Sequence, residues 1–500
     1  MTRELRNLAR AIMLAFSLIA LSSAYWGIFQ QDDLRERTDN LRKVYFDQNF
    51  ERGRILDRKG VVLATNSTIS TTAYDQRIYP YDNVAGAIGY YSYQYGTEGL
   101  EAAFSDILTG QFGDQSFWDQ RWDDLLNRER VGYDLRSTID LTIQQAVAKS
   151  FGERNGAAVV IHVPTGEVLA MVSQPELDAN VLDLNWATYN EEVSEETMVL
   201  PESPLFNRVR RGIYQPGSAI YPVILMALLN SGDTMSRIVS NGIDSVQLPP
   251  PSVADDVNLE TVYCLTTPPQ TFELTLLDAF AYGCPQPFVT AFAETLVPSA
   301  YQELLGTIGF LDPPPLFRMD TDAGVPPLSL DRRNDPDEQA ILEAVGQGQL
   351  TLTPLQVARF VAAIANQGNA PPLHVANAYR LPETTEWISL EIPRRQPALL
   401  RTDIAEQLQS ALRYTAQRSP LVQHAVVNSG ATLYGYVGTS QAGTPVATYS
   451  WFLGFIKFAD GSSIVVVVVV EDAQEIEEAA IIAQTAFEVS LNVFEPQPVN

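Results

Sequence analysis

The sequence predicts an α+β protein, and three observations lead there. Runs that read as strands stand at both ends of one long segment, from Gly156 and again from Trp451; at least six stretches with helical apolar spacing lie between them; and 46% of the 500 residues are hydrophobic, enough for a large core. Terminal strands that enclose helices are expected to share one sheet. At about 100–200 residues per domain, the length accommodates two to four domains.

Taken in chain order, Arg3, Arg6 and Arg10 precede AIMLAFSLIALSSAYWGIF, a charge-free stretch from Ala11 to Phe29. At ~1.5 Å per residue a helix of that length nearly spans a hydrocarbon core of ~30 Å. Tyr25 and Trp26 suit the outer interface, and the arginines favour a cytoplasmic N-terminus. A single-pass anchor with the main domains outside is the reading; a signal peptide cleaved near Ser22-Ser23-Ala24 is the alternative, and both export the protein.

Beyond it, LRERTDNLRKVYFDQNFERG is polar and compatible with a juxtamembrane helix, and GRILDRKGVVLATN reads as a hairpin around Asp57-Arg58-Lys59-Gly60. Residues 70–130 mix tyrosine-rich segments with the helix-like LEAAFSDILTG, which suggests a smaller mixed domain. From Val131 a second region opens. LRSTIDLTIQQAVAKSF is a helix with Thr138 or Asp140 as cap, and GAAVVIHVPTGEVLAMVSQPELDAN is strand, turn at Pro164-Thr165-Gly166, and strand. Helical spacing recurs at 222–231, 275–283, 291–305, 335–345, 353–366 and 402–414. WFLGFIKFADGSSIVVVVVVEDA closes the segment as a hairpin whose second strand, Ile464 to Val470, is apolar on both faces, and IEEAAIIAQTAFEV is a last helix. Residues 311–339 form a proline-rich acidic loop, and 377–400 an irregular excursion.

Composition excludes several classes of function. Sixty Asp and Glu against 33 Lys and Arg give a net charge of -27, and no basic cluster is dense enough to follow a phosphate backbone, so nucleic acid is not an expected partner. His162, His374 and His424 are isolated and form no metal-ligand spacing; neither a metal nor another cofactor is expected. Cys264 and Cys284 are too few for a disulfide scaffold, although one bridge is permitted outside the cytoplasm.

These landmarks resemble, in order, the class B penicillin-binding proteins, the D,D-transpeptidases that cross-link peptidoglycan. ERGRILDRKGVVLA and GYYSYQYGTEGLEAAFSDILTG resemble the start and end of that family's non-catalytic domain. TIDLTIQQAV with the following hairpin, PLFNRVRRGIYQPGSAIY, AVGQGQLTLTPLQVARFVAAIANQGN and the WFLGF strand resemble its transpeptidase domain. The resemblance implies a central antiparallel sheet flanked by helices. It divides the chain into a cytoplasmic tail at 1–10, a transmembrane helix at 11–29, a juxtamembrane segment and non-catalytic domain at 30–130, a transpeptidase-like domain at 131–490 and a tail at 491–500.

The family's chemistry is acyl transfer by a serine. It uses S-x-x-K, in which a lysine one helical turn on takes the hydroxyl proton, an S-x-N relay, and a K-T-G strand that anchors the substrate carboxylate. In this chain the resemblance puts Ser218 at the nucleophile but Tyr221 at the lysine. It puts Gly283-Cys284-Pro285 at S-x-N and Asn428-Ser429-Gly430 at K-T-G. The chain has only Lys43, Lys59, Lys149 and Lys457, none of them placed to restore either motif, and its one literal S-x-N, Ser490-Leu491-Asn492, lies near the C-terminus. Structural readings stand beside these. Ser218 would serve as a helix N-cap, Tyr221 as packing and Cys284 as a buried structural cysteine rather than a thiol nucleophile. Arg208, Arg210 and Arg211 would be a solvated face or a site for an acidic group, and Asn66-Ser67-Thr68 a turn rather than a glycosylation site.

The expectation is a membrane-anchored, catalytically inactive transpeptidase-like scaffold or regulator in envelope assembly. The resemblance implies a polytopic glycan polymerase and other envelope-assembly proteins as partners. The alternatives are a divergent serine acyltransferase or penicillin-binding enzyme acting through Ser218, and a cleft that binds stem peptide without chemistry.

Overall fold

The computed structural model describes residues 3–25, 51–67, 77–92, 94–113, 131–189, 203–239, 245–248, 261–269, 274–295, 298–327, 336–393, 396–427, 430–442 and 447–494. The first helix, α1, runs Arg3–Ala24 and carries Arg3, Arg6 and Arg10 in its first part. Among the described residues no helix is long and apolar enough to cross a membrane. Trp26 to Phe29, the end of the expected span, lie outside the described residues.

The large unit is organised by a five-stranded sheet. Its parts in chain order are α2 (Leu141–Phe151), β1 (Gly156–His162), β2 (Glu167–Gln174), α3 (Tyr221–Asn230), α4 (Leu276–Tyr282), α5 (Pro285–Thr295), α6 (Pro336–Ala344), α7 (Pro354–Ala365), α8 (Thr402–Arg418), β3 (Thr432–Ala442), β4 (Ala447–Lys457), β5 (Ser463–Val470) and α9 (Glu478–Phe494). The strand order is β3-β4-β5-β1-β2, antiparallel throughout. The two ends of the segment therefore meet in one sheet, as their apolar runs predict.

Every residue of β5 is buried. Its alternate valines feed two cores: Val465, Val467 and Val469 join Trp451, Leu453 and the buried residues of α7, while Val466, Val468 and Val470 join Phe452 and the apolar faces of α2 and α9. A strand covered on both faces has no need of polar alternation, which is why its sequence is a continuous valine run. α2 starts at Asp140, whose carboxylate accepts from Thr142 N at 3.1 Å; Thr138, the other candidate cap, instead donates to the Val168 carbonyl. The helix expected over 291–305 is two helices, α5 and another at Pro298–Ile308, with Pro298 opening the second where a missing N–H costs nothing.

The smaller unit holds a sheet of short strands in the order Ile388–Ser389, Ala376–Arg380, Asp134–Ser137, Ile55–Leu56, Val62–Asn66, Arg77–Ile78. The expected hairpin is present, its turn closed by the Asp57 carboxylate, which accepts from Lys59 N and Val61 N at 2.8 Å each. The excursion at 377–400, predicted as irregular, overlaps two strands of this sheet, Ala376–Arg380 and Ile388–Ser389, the first held by pairings such as Ala378 with Arg136 far away in the chain. At its centre Glu101 is wholly buried between Arg52 and Arg77, each donating through Nε at 2.7 Å.

Candidate active site

Ser218 lies in a single 3-10 turn, Gly217–Ile220, that leads directly into α3. Gly217 is required here: its φ is +51, and a Cβ would lie 1.9 Å from the Thr439 carbonyl oxygen of β3. The same closeness recurs at Gly438, where a Cβ would meet Ala219 N at 2.5 Å. Backbone thus packs on backbone, and the Ser218 hydroxyl accepts a hydrogen bond from Thr439 N at 2.9 Å. Neither the turn nor α3 has a side-chain cap, so the N-cap reading of Ser218 is corrected: its oxygen is engaged by a strand 221 residues further along the chain. Pro222 sits in the first turn of α3, where it leaves no intrahelical bond unmade.

Three residues after Ser218, Tyr221 is wholly buried. Its ring stacks on Phe288 of α5 with centroids 4.4 Å apart and meets Tyr436 of β3 at 6.5 Å; Tyr436 in turn lies 4.8 Å from Phe280 of α4. Neither the Tyr221 nor the Tyr436 hydroxyl has a hydrogen-bond partner among the described residues. Burial pushes the Tyr221 phenol above its ordinary value; for Tyr436, burial first and the neighbouring Tyr221 second push it well above. Both are neutral in any physiological medium, so neither accepts a proton from Ser218.

Gly283 ends α4 in the left-handed region, φ +65, and a Cβ there would lie 2.6 Å from Leu265 Cγ. Cys284 is buried and disulfide-bonded to Cys264, and Pro285 begins α5. The bridge settles the open question of the two cysteines and removes Cys284 as a thiol nucleophile. The turn brings no polar side chain to the serine.

The strand beside Ser218 carries Gly438 and Thr439, with Tyr436 and Val437 before them; Asn428-Ser429-Gly430, the tripeptide expected at K-T-G, comes earlier in the chain. Asn428 and Ser429 lie outside the described residues; Gly430 is exposed, has no atom within 4 Å of its would-be Cβ, and precedes β3 altogether. What brings this strand to the serine is the Thr439–Ser218 hydrogen bond and the close approach of Gly438 to Ala219; β3 itself pairs with β4 over its full length, with Gly438 opposite Trp451 and Tyr436 opposite Leu453.

Of the three arginines upstream, Arg208 and Arg210 form neither a solvated face nor an open anion site, while Arg211 stays partly exposed. Arg208 and Arg210 are buried; Arg208 Nε donates to Glu471 at 2.8 Å, Arg210 pairs with Glu98, and Arg211 approaches Glu98 at 3.6 Å. Glu471 also accepts from the Tyr214 hydroxyl at 2.7 Å, and the Trp451 indole donates to the Gln215 carbonyl. The knot fixes the segment that delivers Ser218. His162 and His374 contact Glu167 or its neighbours rather than this site, and among the described residues no group of three His, Cys, Asp or Glu side chains suits a metal.

Both units of the chain have counterparts among known proteins. Residues 156–490 match the penicillin binding protein transpeptidase domain, and residues 52–135 the penicillin binding protein A dimerisation domain. The chain is 27% identical over 488 residues to the peptidoglycan D,D-transpeptidase PbpA of Mycolicibacterium smegmatis, covering 94% of each chain. It is 27% identical over 200 residues to the peptidoglycan D,D-transpeptidase MrdA of Escherichia coli, covering 33% of this chain and 30% of that one. Among solved structures, the imipenem acyl-enzyme complex of penicillin-binding protein A from M. tuberculosis superposes with a TM-score of 0.75 at 24% identity, over 89% of this chain and 99% of that one. The D,D-transpeptidase domain of a peptidoglycan glycosyltransferase from Eggerthella lenta gives 0.72 at 23%, over 90% and 100%.

Proposed function

The chain belongs to the penicillin-binding protein transpeptidase family, and on that premise we propose that it is a non-catalytic member. In this reading it is a membrane-anchored scaffold or regulator of peptidoglycan synthesis whose cleft has lost acyl transfer. The observation that carries the reading is the pair Tyr221 and Tyr436. We take Tyr436-Val437-Gly438 on β3, just before the Thr439 whose N–H meets Ser218, as the counterpart of the family's K-T-G, which assigns tyrosines to both lysine positions, one in S-x-x-K and one in K-T-G. Acyl transfer needs a group that accepts the serine proton within about 3 Å and a cation that holds the substrate carboxylate. Two buried, neutral phenols closed in by Phe280 and Phe288 supply neither. Losing the base, the relay and the anchor together removes the parts that act as a unit in such sites.

The envelope location is supported by two features. The Arg-led α1 carries an apolar stretch from Ala11, and the Cys264–Cys284 bridge is of a kind that persists in oxidising compartments. A polytopic glycan polymerase is the class of partner proposed for the anchor and the smaller domain, and a stem peptide the ligand the cleft would take if it takes one.

A second reading, a divergent acyltransferase, is favoured by one observation. The backbone around the serine is intact, with Thr439 N aimed at Ser218 Oγ and glycines at 217 and 438 admitting the close approach. One experiment separates the two: intact-mass detection of adducts after incubating the protein with a reactive penicillin, beside Ser218→Ala. No adduct on folded protein supports the non-catalytic reading; a stoichiometric adduct abolished by the substitution establishes the second.

A further inference from the structure

β3 is an edge strand, fully paired with β4 on one side. An edge with free N–H and C=O groups is a template on which an extended peptide adds as a further strand. Along the open side of β3, among the described residues, the alternate residues Thr439 and Gln441 are engaged from outside the sheet. Thr439 N is held by the Ser218 hydroxyl at 2.9 Å. At Gln441 both backbone groups are taken by one side chain: in the orientation that satisfies both, the Gln347 carboxamide nitrogen donates to the Gln441 carbonyl at 2.8 Å, and its oxygen accepts from Gln441 N at 3.2 Å. A carboxamide that gives one donor and accepts one proton at the same residue reproduces what a neighbouring strand's peptide group offers.

The loop that carries Gln347 is fixed independently of that contact. Gly346 accepts from Gly217 N at 2.8 Å, and a Cβ on Gly346 would lie 2.1 Å from the Gly217 carbonyl oxygen. Gln347 N donates to Leu342 O at 2.9 Å, Gln215 Nε2 to Gly348 O at 2.9 Å, and Gln349 N to the buried Glu343 carboxylate at 2.9 Å. The position of Gln347 is thus set by backbone contacts on both sides, one of them with the glycine next to Ser218.

We propose that Gln347 is a built-in stopper of the β3 edge, an autoinhibitory contact that closes the strand beside Ser218 to an extended peptide until the carboxamide is displaced. This deepens the reading of the cleft given above and rests on it only for the choice of peptide probe; a penicillin adduct, or its absence, leaves the stopper untouched.

The test is amide-resolved hydrogen exchange on the detergent-solubilised full chain, in the wild type, Gln347→Ala and Ser218→Ala. Gln347→Ala is expected to speed exchange at Gln441 N at least tenfold and leave Thr439 N unchanged, and Ser218→Ala to do the reverse. Unchanged exchange at Gln441 in folded Gln347→Ala overturns the proposal. Gln347→Glu covers the case in which the alanine variant does not fold: it keeps the acceptor for Gln441 N and loses the donor to Gln441 O, so protection at Gln441 N persists while the pairing is half lost. The second readout is binding of diacetyl-L-Lys-D-Ala-D-Ala. Binding at least tenfold tighter to Gln347→Ala than to the wild type supports the stopper; equal binding by both, or none by either, overturns it.

Discussion

Tyr221 and Tyr436 meet at 6.5 Å between ring centroids, tilted by 62°, with both hydroxyls buried and unpartnered among the described residues. An unsatisfied buried hydroxyl costs about 1–3 kcal/mol, whereas each aromatic contact contributes about 0.5–1.5 kcal/mol. The rings therefore stabilise the site and the oxygens do not. Tyr221→Phe and Tyr436→Phe are expected to raise stability by about 1 kcal/mol each, read as a higher urea midpoint at constant slope. Tyr221→Lys, which restores the family's residue, places an ammonium against Phe288 with no counter-charge and is expected to cost more than about 3 kcal/mol without restoring penicillin acylation. A well-folded, acylated lysine variant would show that the aromatic cluster is not what disables the cleft.

Glu101 is the hinge of the smaller domain's polar core. Burial pushes its carboxyl up, but Arg77 and Arg52 together outweigh burial and hold it below the ordinary value. A depressed carboxyl binds fewer protons folded than unfolded, so its contribution is complete above the ordinary carboxylate range and lost as pH falls through the folded value. Glu101→Gln leaves two buried guanidinium groups without a counter-charge and is expected to cost about 3–5 kcal/mol at pH 7, with the penalty shrinking below pH 4. Urea unfolding at pH 7, 5 and 3.5 measures it; a penalty that does not change with pH would show that the carboxylate charge contributes nothing.

The sheet and the serine were legible for a shared reason. Apolar strands such as Ile464–Val470 and short-range spacing such as Ser218 to Tyr221 or Gly283 to Pro285 are written locally in the sequence. What stayed hidden depends on pairing across the chain. Asn428-Ser429-Gly430 imitates the expected tripeptide, and only the long-range contacts of Thr439 with Ser218 and of Gly438 with Ala219 bring the segment after Tyr436 beside the serine. Ala376–Arg380 reads as loop because its partner strand, Asp134–Ser137, is some 240 residues earlier in the chain. Ser218 looks like a helix cap because nothing local reveals Thr439 N as its partner.

Glu343 gives a pH dependence of the opposite sign. It is buried, and burial raises its carboxyl to about 7, against the lowering effect of the Gln349 and Leu350 N–H groups. A raised carboxyl binds more protons folded than unfolded, so stability is full below the ordinary carboxylate range and is lost as pH rises towards and through about 7. Glu343→Gln is expected to remove that slope and to exceed the wild type at pH 8 by up to about 3 kcal/mol. Glu176, raised to about 7 by burial and then by Asp82 and Asp178, titrates in the same window, so the difference between the two proteins, not the wild-type curve, is the quantity to compare. Parallel curves from pH 5 to 8 would refute the assignment.

The Cys264–Cys284 bridge closes a loop with a sequence separation of 20 that contains α4 and ends at the turn beside the cleft. Chain-entropy reasoning assigns a loop of that size about 3 kcal/mol through restriction of the unfolded chain. Leu265 sits over Gly283, and Thr266 N donates to Tyr282 O at 3.2 Å, so contacts other than the bridge also hold the segment leaving Cys264 against the end of α4. Cys264→Ser with Cys284→Ser is therefore expected to lower the urea-derived stability by about 3 kcal/mol while leaving near-ultraviolet circular dichroism unchanged below the transition. The bridged protein in reductant should move to the midpoint of the double variant. If the variant loses the near-ultraviolet signal as well, the bridge shapes the folded turn, and Leu265 and Thr266 are not enough to hold it.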